Sequence, residues 1–271
     1  MSTEVDQALP VEPEHKEVEL HHPTASEKVW VEVVSWFWVI VAFLFIEACL
    51  VQARVIPSGS MENTVLIGDH LIVSRIGYDV GVPFTSIHTP LWRNPKRQQI
   101  IVFKAPLADQ GYPDFIKRCI GVPGDHIKII DSVVYVNGKA LVEPYALHSP
   151  GFETNPRENF PQEAADFSSE FVDRPEWAEE LAKNTVNGEM VVPPGQYFMM
   201  GDNRDNSNDS RFWGFVPREN IIGTPVMIYM SIKAPDGAWE PGHLQDRFDA
   251  YGNAIIHPSK IRWGRLFHIF W

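Results

Sequence analysis

The chain has 271 residues, 44% of them hydrophobic, with 35 acidic against 23 basic side chains and a formal net charge of −12. That length allows one medium domain with appendages, or two small ones, and a sizeable core. The acid excess excludes a basic surface for nucleic acid. Residues 1–28 (seven acids, two bases) and 146–190 (ten acids, three bases) account for the whole excess, so both blocks read as solvated surface on a nearly neutral body.

Residues 1–28 are polar and are expected to form a disordered acidic tail. Residues 29–51 read VWVEVVSWFWVIVAFLFIEACLV. A bilayer core takes about 20 apolar residues in a helix. Glu32 and Glu47 stand near the two ends, and Trp30, Trp36 and Trp38 suit an interfacial belt. A cleaved signal peptide calls for a basic start, which this acidic tail lacks. Glu47 spoils a lipoprotein signal ending at Cys49, and a buried soluble helix is disfavoured because the run is apolar all round. The expectation is one uncleaved transmembrane anchor over 29–52. Lys16 and Lys28 precede it and Arg54 and Arg75 follow, so charge bias leaves its orientation open.

Beyond the anchor, short β-branched runs at 70–74, 99–103, 115–120, 126–130, 133–136, 140–142, 196–200 and 221–231 predict a mainly β body, with parts at 53–145 and 191–235. Asn137-Gly138 between two such runs signals a type I′ hairpin. Residues 146–190 carry Pro150, Pro156, Pro161 and Pro175 and read as an acidic insertion or cap, with a short helix at 174–184 around Trp177 and Leu181. The tail 236–271 closes on IRWGRLFHIFW (261–271), which is too short to span a bilayer. It is expected either to lie at the headgroups as an amphipathic segment or to pack on the body.

Ser58-Gly59-Ser60-Met61 follows the apolar run within ten residues, which places a turn serine near the bilayer surface. Serine needs a base to attack an amide at neutral pH. No His/Asp partner is evident, but a lysine is, and Ser/Lys pairs are an accepted variant. Lys117 is the candidate base. Bringing a lysine from a pKa of about 10.4 down to about 7 or 8 costs roughly 3–5 kcal/mol. Burial among Phe115, Ile116, Cys119 and Ile120 can supply it. Arg118 stays protonated and alternates to the other face of the strand, so it is expected at the surface or in an ion pair. Cys49 and Cys119 read as small buried residues without a disulfide. His70, His88, His126 and His148 lack metal spacing and read as ordinary surface or loop histidines, so no metal and no cofactor are expected. Gly121-Val122-Pro123-Gly124-Asp125 reads as a turn and not as a phosphate loop.

Three segments together carry a resemblance: PSGSMENTVLIGD (57–69), DFIKRCIGVPGD (114–125) and GDNRDNSNDSRFWGFVP (201–217). In this order, behind a transmembrane run, they resemble the bacterial type I signal peptidases over most of residues 30–231. The resemblance implies a signal-peptidase-like all-β catalytic body and a serine endopeptidase that removes signal peptides from exported preproteins through an acyl-enzyme. It implies Ser60 as nucleophile and Lys117 as base, with the Ser60 N–H and the Ser58 hydroxyl as oxyanion donors. Gly59 lets the chain bend there. The resemblance further implies that Ser207 orients the lysine, that Asp209 and Arg211 form a supporting ion pair, and that Asp202 and Arg204 brace the same loop. Ile56, Pro57, Met61, Val65 and Ile116 are implied to line pockets for small substrate residues at the first and third positions before the cut. The implied partners are exported preproteins and membrane lipid, with association with the export machinery. The implied setting is the bacterial cytoplasmic (inner) membrane, with the N-terminus inside and the body outside. One departure stands out: many relatives read Ser-Met-x-Pro-Thr where this chain has Asn63, and the loss of proline is expected to loosen the turn. Two rivals remain. One is a self-cleaving Ser/Lys protease of the SOS-repressor type, opposed by the transmembrane run. The other is a non-catalytic membrane-tethered module, opposed by the retention of Ser60 and Lys117.

Overall fold

The computed structural model describes residues 24–82, 85, 87–104, 114–148, 158–161, 174–235 and 237–270. The tail 1–23 and much of the acidic stretch, 149–157 and 162–173, lie outside the described residues. The chain divides into two units, with the boundary between Phe43 and Leu44.

Helix α1 (Ala25–Cys49) has no buried residue and is long and apolar enough to cross a membrane. Its 25 residues amount to about 37 Å of rise, more than the roughly 30 Å of a hydrocarbon core. It starts four residues before the apolar run, because Thr24-Ala25-Ser26-Glu27 is a capping box. The Glu27 N–H donates to Thr24 Oγ1 at 3.3 Å, and the Glu27 carboxylate accepts from the Thr24 N–H at 2.7 Å. The helix ends at Cys49, short of the expected boundary at 52. Val51 and Gln52 already belong to the first strand, since their β-branched neighbourhood finds partners there.

In the unit from Leu44 onward the strands are β1 (Val51–Val55), β2 (Asp69–Ser74), β3 (Asp79–Gly81), β4 (His88–Pro90), β5 (Ile100–Lys104), β6 (Asp114–Gly121), β7 (His126–Ile130), β8 (Val133–Val136), β9 (Lys139–Ala140), β10 (Thr185–Val186), β11 (Glu189–Val191), β12 (Gln196–Met200), β13 (Val216–Pro217), β14 (Ile221–Ser231) and β15 (His268–Ile269). The larger sheet runs β1-β2-β14-β5-β6-β12-β13, with β15 also on β14, and its pairings are antiparallel. The 11-residue β14 is bulged and pairs with β5 at its start and β2 along its remainder, which bends the sheet. The smaller sheet runs β10-β11-β7-β8-β9. Asn137 (φ 53°) and Gly138 (φ 74°) both take positive φ between β8 and β9, as a type I′ turn requires.

Each face of β5 is covered, so its residues sort strictly by parity. Ile100 and Val102 join a core of Ile56, Met61, Val65, Leu71, Val73, Ile116, Ile222 and Ile228. Ile101 and Phe103 join Tyr78, Cys119, Met199 and Trp213 on the other face. Helix α2 (Pro175–Asn184) buries Trp177 and Leu181 against the smaller sheet, and β10, within 146–190, and β11, which crosses its end, extend that sheet. Helices α3 (Ser210–Trp213) and α4 (Leu244–Ile256) are the other α-helices among the described residues. The C-terminal segment packs in part on the body. Phe267 N–H donates to Ile228 O, and Arg265 pairs with the buried Asp69 at 2.6 Å.

His70 corrects its reading as a surface or loop histidine. It is buried, its Nε2 lies 2.7 Å from the Tyr251 hydroxyl on α4, and Trp239 packs edge-on against its ring. Burial pushes its pKa below the usual histidine value.

Candidate active site

Strand β1 leads through Ile56 and Pro57 into a tight 3-10 turn at Gly59–Met61. Ser60, 7% exposed, sits on this turn, and Lys117, 5% exposed, comes from the middle of β6. Lys117 Nζ lies 2.5 Å from Ser60 Oγ. Burial is the main cause that lowers the lysine to about 8 from its usual 10.5. The Asp209 and Asp202 charges pull it upward, and Arg211 pulls it down. Nζ also lies 5.6 Å from the centroid of the Phe115 ring. Near neutrality such a lysine releases its proton far more readily than a solvated one, so it can accept one from a serine hydroxyl. Ser58 Oγ stands 3.5 Å from Ser60 Oγ, on the open side of the turn.

The loop after β12 holds this turn from behind. Asn203 N–H donates to Ser60 O at 3.1 Å, and its side-chain amide donates to Gly59 O at 3.3 Å. Gly201 is where the two segments touch: a Cβ there would meet Ser60 O at 2.4 Å and Ser207 Oγ at 2.2 Å. Gly59, by contrast, has negative φ and room for a side chain, its closest neighbour 3.4 Å from a built Cβ, so the bend does not depend on it. Ser207 Oγ is buried beside this contact and has no hydrogen-bond partner among the described residues; the expected bond to Lys117 is not formed.

Two buried ion pairs fix the loop. Asp209 accepts Arg211 Nε at 2.8 Å and the Gly201 N–H at 3.0 Å. Burial pushes the Asp209 carboxyl up, but the Arg211 charge and hydrogen bonds, the Gly201 N–H and Lys117 together hold it below the usual carboxylate value. Asp202 takes a bidentate grip from Arg118, Nε at 2.8 Å and Nη2 at 2.6 Å, and accepts the Thr64 hydroxyl. Arg118 is therefore an ion-pair residue inside the protein, with its guanidinium 3.7 Å from the Tyr145 ring centroid. Arg204 pairs with Glu143 at 2.6 Å. Sequence reasoning missed Thr64, Glu143, Tyr145, Gly201 and Asn203. The first three lie outside any charge pattern, while the two in the third segment carried a signal in Gly-Asp-Asn.

Asn63 alters the expectation about the missing proline. Its φ is 89°, which a proline ring cannot adopt, and its side-chain amide donates to Tyr145 O at 3.1 Å. The turn is tied by a different device and is not left loose.

A cleft of about 250 Å³ opens over the pair, lined by Pro57, Ser58, Gly59, Ser60, Asp114, Phe115, Ile116, Lys117, Asn206 and Asn208. Of the five residues expected to line substrate pockets, Pro57 and Ile116 face it. Ile56, Met61 and Val65 lie beneath, at most 3% exposed, in the core under the turn. No group of three or more His, Cys, Asp or Glu side chains that could hold a metal occurs among the described residues.

Residues 29–230 match a family model described as signal peptidase, peptidase S26. A signal peptidase I from Aquifex aeolicus is 33% identical over 270 residues, covering 86% of this chain and 97% of its own. A probable signal peptidase I-2 from Synechocystis sp. is 34% identical over 201 residues, covering 73% and 72%. Among solved structures, a signal peptidase I from Enterococcus faecalis is 33% identical, with a TM-score of 0.33, covering 49% of this chain and 97% of that one.

Proposed function

The chain belongs to the signal peptidase family, peptidase S26, a membrane-anchored serine endopeptidase acting on signal peptides, and we propose that Ser60 is its nucleophile and Lys117 its general base. The observation that carries this reading is the 2.5 Å approach of Nζ to Oγ, made by a lysine that burial has lowered to about 8.

Neutral Lys117 takes the proton of the Ser60 hydroxyl as Oγ attacks the substrate carbonyl carbon. Charge develops on the carbonyl oxygen, and the Ser60 N–H and Ser58 hydroxyl are the donors proposed to meet it. The lysine then gives its proton to the leaving amine as the C–N bond breaks, which leaves an ester on Ser60. Water enters, Lys117 takes one of its protons as the oxygen attacks the ester, and the second collapse returns that proton to Ser60 and releases a carboxylic acid, which gives up its own proton to solvent. The neutral lysine that reacts is the minor form at pH 7 and becomes the major one above about 8, while the nearby Asp209 and Asp202 charges favour the charged form. The ion pairs around Asp209, Asp202 and Arg204 act on geometry. Ser207, buried next to Ser60 O, is the hydroxyl proposed to steady the lysine once substrate is bound.

The substrate is proposed to lie extended in the cleft, adding its backbone to a strand edge, with small residues at the first and third positions before the cut. The site of action is proposed as the outer face of a bacterial inner membrane, with the N-terminus inside, in contact with lipid and the export machinery. Ser60→Ala tests the nucleophile. It is expected to abolish cleavage of a preprotein while the protein still folds cooperatively, with a melting temperature changed by no more than the loss of one buried hydrogen bond to Lys117. Turnover within tenfold of the parent would remove Ser60 from the role.

A further inference from the structure

The C-terminal segment reaches the turn that carries Ser60. The chain leaves β1 at Ile56 and enters β2 at Asp69, and the two ends are bonded: Gly68 N–H donates to Ile56 O and Ile56 N–H to Asp69 O, both at 2.9 Å. Residues 57–68 therefore form a closed loop, with Ser58 and Ser60 on its first limb. The Thr64 and Val65 N–H groups both donate to Met61 O, at 3.0 and 2.9 Å, so Thr64 and the serine turn form one bonded unit. Arg265 crosses this loop. Its Nη2 donates to Thr64 O at 3.0 Å and to Asp69 Oδ2 at 2.6 Å, and its Nε lies 3.1 Å from both Asp69 oxygens. One guanidinium thus ties the second limb of the loop to its base. Asp69 is fully buried and is itself fixed by the Leu66 N–H at 2.9 Å and the Ser231 hydroxyl at 2.6 Å. The segment that brings Arg265 is fastened along β14: Arg262 N–H donates to Ser231 O, Phe267 N–H to Ile228 O and Phe270 N–H to Val226 O. Phe270 also packs on the core that holds Met61 and Val65 beneath the turn. Burying a carboxylate and its partner costs desolvation, so an apolar contact would fasten the tail at least as well. What a forked donor on a backbone carbonyl adds is direction.

We propose that Arg265 is a positioning residue for the reaction, and that the C-terminal segment is a brace which sets the Ser58 hydroxyl and the Ser60 N–H against the oxyanion. This rests on the signal peptidase reading of Ser60 and Lys117 and adds to it a residue from the far end of the chain. The loop after β12 grips the turn at Ser60 O and Gly59 O, which holds the first limb from one side. Without Arg265 on Thr64 O, the second limb is held by the Thr64 hydroxyl on Asp202, and the turn pivots about the Ser60 carbonyl. Such a pivot swings Ser58 and the Ser60 N–H. It leaves Lys117, which belongs to β6, in its buried place. Oxyanion donors lose their effect when they shift by about 1 Å.

The test uses the full-length protein in detergent micelles with a preprotein substrate. Arg265→Ala is expected to lower kcat on the order of 100-fold with KM little changed, the loss that a small misplacement brings. The apparent pKa of the rate stays at about 8, because the brace does not touch Lys117. In the parent, Ser58→Ala is expected to cost roughly 10²–10³-fold in kcat. In Arg265→Ala the same change is expected to cost less than roughly tenfold, since the donor it removes is already out of place. Arg265→Lys keeps a cation on Asp69 but has no fork to span Asp69 and Thr64 O. It is expected to melt close to the parent and still to lose kcat. Additive effects of the Ser58 and Arg265 changes, or a loss carried by KM, overturn the proposal. So does an apparent pKa that moves toward 10.5, or a lysine variant with the parent's kcat. Arg265→Ala leaves Asp69 buried without its cation. Should it not fold, Asp69→Asn combined with Arg265→Met removes both charges and carries the same expectation. Failure of both to fold makes the pair a requirement of the core and overturns the proposal as well. Cleavage by the parent and its loss in Ser60→Ala judge the underlying reading separately.

Discussion

At Lys117 catalysis and stability oppose each other. A lysine held at about 8 in the folded protein and near 10.5 in the unfolded chain is one the fold disfavours when charged, by about 3 kcal/mol. Between those values the unfolded chain binds more protons, so this residue makes stability rise with pH from about 8 to 10.5. Below 8 the penalty is present in full. Lys117→Met is therefore expected to be inactive but more stable than the parent by about 3 kcal/mol at pH 7, with the gap closing toward pH 10.5. Urea denaturation at pH 7 and pH 10 measures this, and a variant no more stable at pH 7 would mean that the lysine is not buried as a cation. The nature of Lys117 was legible because Phe115, Ile116, Cys119 and Ile120 surround it in sequence. That of His70 was not, because Trp239 and Tyr251, which bury it, come from the far end of the chain.

Among the elements, long strands with a strict apolar pattern were legible: 126–130, 133–136, 196–200 and 221–231 match their observed limits. Strands of two or three residues, such as β3, β10 and β15, hold too few side chains to show a period, and partners fix them from elsewhere. Helix α4 was unread because its buried side is only Ala250 and Ala254, which leave little apolar signal. The three motif segments announced the site, but not how Thr64 and Arg118 within them meet on Asp202, nor the supports that reach it from between them, Glu143 on Arg204 and Tyr145 on Asn63. The turn after Ser60 shows how a local device replaces another. With φ at 89°, Asn63→Pro is expected to cost more than about 1 kcal/mol, whereas Asn63→Gly, which accepts that φ, costs less. Thermal melts of both variants measure this. A proline variant as stable as the parent would show that the turn takes a negative φ at this position.

On the scale of the whole molecule, the fold class and the anchor were legible because an unbroken apolar run and a series of short β-branched runs are each long-range compositional signals. Orientation was not, because Lys28 and Arg54 flank the run almost symmetrically. The proposed reaction decides it, since a signal peptide is cut where the exported chain emerges. Protease added outside intact spheroplasts is expected to digest the body after Arg54 and to spare residues 1–28; the reverse pattern would put Ser60 on the wrong side of the bilayer from its substrate. All of this depends on a lysine that acts as a base near neutrality. The most direct measurement is kcat/KM for preprotein cleavage by the full-length protein between pH 5 and pH 11. The rate is expected to rise through an apparent pKa of about 8 and to be lost throughout in Lys117→Arg, whose guanidinium keeps its proton. A rise centred near 10.5, or an active arginine variant, would contradict the Ser60–Lys117 mechanism.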